Sequence, residues 1–115
     1  WETYYSELKN WAEENNVRLP HIPQYCDQPY HMFYLIMPSL EKRTALIKYL
    51  KERSICAVFH YLPLHLSKMG TKFGGNKVDC STTEYVSERL VRLPFYTNLS
   101  SEDQEYILNE LKLFV

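Results

Sequence analysis

Prolines constrain this chain more than any other residue type. Pro20 and Pro23 interrupt the extended piece VRLPHIP, Pro38 closes the apolar run HMFYLIMP, and Pro63 follows SICAVFHYL. A proline cannot donate into a sheet ladder, so long central strands are excluded around these positions. The two best β-prone runs, residues 31–38 and 54–61, are therefore short. The continuous apolarity of the first predicts cover on both of its faces.

Helical spacing accounts for much of the rest. In WETYYSELKNWAEENN, residues Trp1, Tyr4, Tyr5, Leu8, Trp11 and Ala12 share one face, and Asn15 and Asn16 supply a stop. A helix with two Trp on one face must pack against something, which could be a second domain. Ser39 is a candidate N-cap for SLEKRTALIKYLKER, with Leu40, Ala45, Leu46, Ile47 and Leu50 on its buried side. TEYVSERLVRL reads as a short helix with Ser81 and Glu84 at capping-box spacing, and LPFY (93–96) as a short strand. In the final helix Ser101 and Gln104 form a capping box, and Ile107, Leu108, Leu111 and Val115 form the stripe. Residues 66–83 hold all three glycines, Gly70, Gly74 and Gly75, and read as a mobile loop. The order is helix, strand, helix, strand, loop, helix, strand, helix. That pattern fits one small α+β domain over residues 1–115, with a short, mostly antiparallel sheet flanked by helices.

Composition narrows the function classes. The formal charge of −1 offers no basic excess for a phosphate backbone, so no nucleic-acid partner is expected. Apolar runs fall far short of a membrane span. Cys26, Cys56 and Cys80 contain no CxxC pair, which suits reduced thiols in a cytoplasmic protein better than disulfides or zinc. Cys56 should pack as a small hydrophobe. Ten tyrosines suggest rings at a domain or subunit contact. The chain opens on Trp1, and we expect its start to be a cut inside a longer protein.

The stretch VFHYLPLHLSKMG is the most site-like. Alternation along a strand through Phe59 would send His60 and Tyr61 to opposite faces, with His65 a few residues beyond the strand end. These rings could bind an anionic or hydroxylated ligand; equally, they could be loop histidines satisfied by nearby carbonyls. His31 is a third histidine at a strand terminus. Arg89 and Arg92 could clamp a carboxylate or phosphate, or lie on a solvated helix face. No GxSxG, P-loop or GxGxxG pattern is present.

Taken together, HMFYLIMP, LIKYLKER, SICAVFHYLPLH and SERLVRLPFYTNLSSEDQEYIL resemble the C-terminal part of the DegT/DnrJ/EryC1/StrS sugar-nucleotide aminotransferases. Within that group the blocks are most similar to the dTDP-4-amino-4,6-dideoxygalactose transaminases. The resemblance implies the small C-terminal domain of a fold-type I enzyme that uses pyridoxal phosphate. Such an enzyme moves an amino group, from glutamate or a similar donor, to a 4-keto-6-deoxy sugar nucleotide for polysaccharide or glycoside biosynthesis. It further implies a cofactor lysine on a large domain outside these residues, a homodimeric parent, and no catalytic residue here. His60, Tyr61, His65 and His31 would contact the sugar nucleotide, and Lys68, Lys72 and Lys77 are candidates for its diphosphate. The other reading is a self-contained α+β binding or oligomerisation module, inactive as an enzyme, with the aromatic helix as its interface.

Overall fold

The computed structural model describes residues 1–77 and 80–114. The chain runs through α1 (Glu2–Glu14), β1 (Tyr34–Ile36), α2 (Leu40–Lys51) and β2 (Val58–Phe59). A 3₁₀ turn (Leu64–Leu66), α3 (Lys68–Lys72), α4 (Ser81–Arg89), β3 (Leu90–Arg92) and α5 (Ser101–Leu113) complete it. The three strands form an antiparallel sheet in the order β1-β3-β2, with Arg92 opposite both Tyr34 and Val58. Arg18 extends the sheet beyond β1 by exchanging backbone hydrogen bonds with Ile36, 3.0 and 2.9 Å.

One face of the sheet carries the core. Phe33, Leu35, Met37, Val91 and Leu93 are buried, and they join Tyr4, Leu8, Trp11, Leu46, Leu50, Ile107, Leu108 and Leu111 in a single cluster. The alternate residues Tyr34, Ile36, Leu90 and Arg92 are only half-buried. The apolar run 31–38 is thus covered fully on one face and partly on the other, where cover on both was expected.

The aromatic helix packs within this chain. Tyr4 is fully buried, its ring 5.1 Å from Phe33, and its hydroxyl donates to the Pro94 carbonyl at 3.1 Å. Burial pushes that phenol's pKa up, with a smaller contribution from Tyr96. Trp1 Nε1 donates to the Met32 carbonyl, and Lys112 of α5 pairs with Glu7 of α1 at 2.8 Å. Helix α2 is tied to α5 by Glu110, which accepts from Tyr49 at 3.0 Å and pairs with Arg53 at 2.7 Å.

Several local expectations need correction. Helix α4 stops at Arg89 and the chain passes directly into β3, so the third strand is Leu90–Arg92 instead of LPFY. Pro94 explains the shift, because it has no N–H to continue the ladder. The α5 cap is Ser100, whose Oγ accepts from the Asp103 N–H at 3.0 Å, one residue ahead of the expected Ser101–Gln104 pair. Ser39 does cap α2, accepting from the Lys42 N–H. Cys80 holds the α4 N-cap position without a side-chain cap, and Glu84 turns elsewhere. Cys56 is exposed, since alternation gives the buried positions to Ile55 and Ala57. Part of the glycine-bearing segment is ordered as α3, capped by Ser67 Oγ on the Gly70 N–H. In the α5 stripe, Ile107, Leu108 and Leu111 are buried, while Val115 lies outside the described residues.

Candidate functional site

Strand β2 contributes only two residues to the ladder before the chain leaves the sheet. His60 and Tyr61 therefore escape strict alternation. Their rings meet edge to face with centroids 4.1 Å apart, on one side of the chain instead of two. Both line a groove of about 430 Å³ between the β2 exit and α4, together with Pro63, Thr82, Thr83 and Ser87. Hydroxyls and imidazole on an apolar floor suit a ligand carrying hydroxyl groups, since each can donate or accept.

His60 has its pKa lowered, first by burial, then by the charge of Arg92, then by His31. His31 and Arg92 thus act on the same imidazole from β1's approach and from the central strand. His60 and Tyr61 are in ring contact here, while His31 reaches the site only through its charge effect on His60.

His65 takes a different place. Its Nε2 lies 3.1 Å from Glu84 Oε1, with both side chains largely buried, and the contact ties the 3₁₀ turn to α4. The same turn is backed by glycine. A Cβ on Gly70 would collide with the carbonyl oxygens of Leu64 and His65, and one on Gly75 with the His65 carbonyl oxygen. Backbone-to-backbone approach this close admits only a residue without a side chain. Sequence spacing had placed Glu84 in a cap, so its partnership with His65, 19 positions away, went unseen.

The remaining candidates are dispersed. Lys68, Lys72 and Lys77 are exposed and do not line the groove that holds His60 and Tyr61. Arg89 stacks 4.1 Å above the Tyr85 ring and pairs with Glu88, and Arg18 donates to the Tyr85 hydroxyl at 2.7 Å. Among the described residues no cluster of three metal-ligating side chains occurs, and no helix is long and apolar enough to cross a membrane.

The family model for the DegT/DnrJ/EryC1/StrS aminotransferases matches residues 1–112. The chain belongs to this family. The uncharacterised protein MJ1066 of Methanocaldococcus jannaschii is 31% identical over 101 residues, covering 84% of this chain and 26% of that protein. Solved structures agree on the fold of this family member. The putative sugar aminotransferase Spr1654 of Streptococcus pneumoniae, in its PLP form, superposes with a TM-score of 0.82 at 21% identity, over 98% of this chain and 30% of that one. DesV of S. venezuelae, in complex with a ketimine intermediate, gives 0.82 at 21%, over 95% of this chain and 29% of that one. NtdA of Bacillus subtilis, with bound PMP, gives 0.79 at 20%, over 96% and 25%. The chain thus spans about a quarter to a third of the length of these relatives.

Proposed function

We propose that this chain is the small C-terminal domain of a pyridoxal-phosphate-dependent aminotransferase acting on a 4-keto-6-deoxy sugar nucleotide. The single observation that carries the reading is the family match over residues 1–112 in a chain whose strand-end groove gathers His60 and Tyr61. Glutamate is the proposed amino donor, polysaccharide or glycoside biosynthesis the proposed setting, and a homodimer in the cytoplasm the proposed form. Within the family, the blocks favour dTDP-4-amino-4,6-dideoxygalactose transaminase.

The residues present here do not fit the cofactor's own anchorage. A Schiff-base lysine needs a desolvated pocket that keeps its amine neutral, yet all eight lysines are exposed. The proposed cofactor site therefore lies on residues outside this chain, and this domain alone should be inactive. Its own contribution is to hold and orient the sugar nucleotide, a task that supplies positioning instead of bond breaking. His60 and Tyr61 offer hydrogen bonds from the groove, and His31, on the approach to β1, is proposed to add a third ring. His65 acts one step back, by anchoring the turn that leads out of the groove.

The test is expression of the full-length gene product. It should show the visible absorbance band of bound pyridoxal phosphate and form an amino sugar nucleotide from a 4-keto-6-deoxy precursor and glutamate. Residues 1–115 alone should show neither. A full-length protein without the band would overturn the reading in favour of a binding module.

A further inference from the structure

Arg92 sits at the middle of the sheet, directly opposite Tyr34 on one side and Val58 on the other. Its face is the one the helices leave half open: Tyr34, Ile36 and Leu90 there are half-buried, whereas Leu35 and Val91 behind are fully buried. Four of the five arginine side chains have partners. Arg18 and Arg89 hold Tyr85, Arg43 donates to the Glu88 carbonyl, and Arg53 pairs with Glu110. Among the described residues, Arg92 makes no side-chain hydrogen bond, ion pair or ring contact. A partly exposed guanidinium with no protein partner keeps its N–H donors available to an incoming anion.

The neighbours reinforce this. Val58 lies directly opposite Arg92, and His60 follows two residues later, just past the end of β2, where the Arg92 charge acts on its imidazole. His31 acts electrostatically on the same imidazole. The surroundings of Arg92 therefore offer imidazole N–H donors, and no carboxylate is paired with it.

We propose that Arg92, with His60 and His31 beside it, forms a binding site for an oxyanion group of the ligand, a phosphate or a carboxylate. The guanidinium presents a planar fork that matches two such oxygens, and an imidazole N–H can take a third. The site itself stands on this chain's geometry. Only the ligand's identity rests on the proposed function, where a sugar-nucleotide phosphate and an amino donor's carboxylate are the two sources.

Nuclear magnetic resonance of residues 1–115 tests it through the four histidine rings, titrated with inorganic phosphate and separately with glutarate. The groups that act on His60 are Arg92 and His31 through their charge and Tyr61 through ring contact. Binding should shift the His60 and His31 signals and raise the His60 pKa, leaving His21 and His65 unmoved. R92Q should weaken binding by about tenfold or more, as expected for loss of a charge-assisted pair. R92K should retain a weaker response, and K9Q, an exposed lysine on α1, should match the parent chain. A response to phosphate assigns the site to the nucleotide, and one to glutarate assigns it to the donor. Equal movement of all four histidines, silence toward both anions, or R92Q binding like the parent would each overturn the assignment. Should R92Q fail to fold, the pattern across the four rings of the unsubstituted chain still decides. A negative result here would leave the cofactor band of the full-length protein unaffected, so the two proposals fail separately.

Discussion

Among the described residues, Glu84 is the one buried charged side chain, and it lies in contact with His65. A carboxylate removed from water needs partners, and the imidazole supplies one. Glu84→Ala should leave His65 without that partner and cost about 1–3 kcal/mol, read by chemical denaturation. Glu84→Gln keeps an acceptor and should cost less than the alanine variant. Equal losses in both would show that the side-chain hydrogen bond contributes little. His60 makes a second prediction, through pH. Burial, Arg92 and His31 all lower its folded-state pKa, so the unfolded chain takes up the proton first as pH falls. His60 then contributes stability that is present above the ordinary histidine pKa and is lost as pH drops through and below it. A His60→Asn chain should lose less stability between pH 7 and pH 5 than the parent, and identical profiles would contradict the assignment. The sequence drew attention to both histidines but not to their different places. Proximity in VFHYLPLH suggested one shared ledge, whereas His65 is claimed by a residue from another helix.

At the scale of elements, what could be read from the sequence was what repeats within one segment. The Ser39 cap, the α1 stripe apart from the exposed Tyr5, and the described part of the α5 stripe follow from spacing and local hydrogen bonds, with the α5 cap one residue ahead of the expected one. What was illegible depends on partners far along the chain. Nothing local distinguishes Leu90–Arg92 from the end of a helix. It becomes a strand because β1 and β2 flank it and exchange hydrogen bonds with it. The glycines show the same limit. Their clustering suggested a loop, but the reason for Gly70 is the turn at Leu64–Leu66 packed against it. Gly70→Ala should therefore cost about 1–3 kcal/mol as an overpacked contact, concentrated in this segment. Limited proteolysis should then cut faster between residues 64 and 77, and the His65–Glu84 contact should loosen. Gly74→Ala is the contrast. Its φ of +92° brings backbone strain, but no atom lies within 4 Å of the added carbon, so His65 should stay in place. If both variants disturbed His65 equally, the close-approach argument would fail.

For the molecule as a whole, the core lies on one side of a thin sheet, and Arg92 of the proposed anion site lies on the other. Helices α1, α2 and α5 share a single cluster with the inner face, so the fold is supported from behind and the other face is left for a ligand or a second domain. The aromatic helix, which looked from sequence like an interface, has most of its apolar face committed to this cluster. Its exposed counterpart lies instead along the β2 exit and α3: Phe59, Leu62, Leu64, Met69 and Phe73, with Leu64 at 85% and Phe73 at 80% exposure. Large apolar side chains this open and this close in sequence form a surface that water does not favour. Relatives three to four times as long as this chain, and the proposed large domain, point to where the cover would come from. Hydroxyl-radical footprinting should then oxidise Met69 and Phe73 readily in residues 1–115 and several-fold more slowly in the full-length gene product. Tyr25, more open still and on the stretch before β1, serves as the comparison and should react alike in both. If Met69 and Phe73 were oxidised at the same rate in the two proteins, the rest of the parent would not cover this ledge, and the segment would have to be exposed for binding something that arrives from solution.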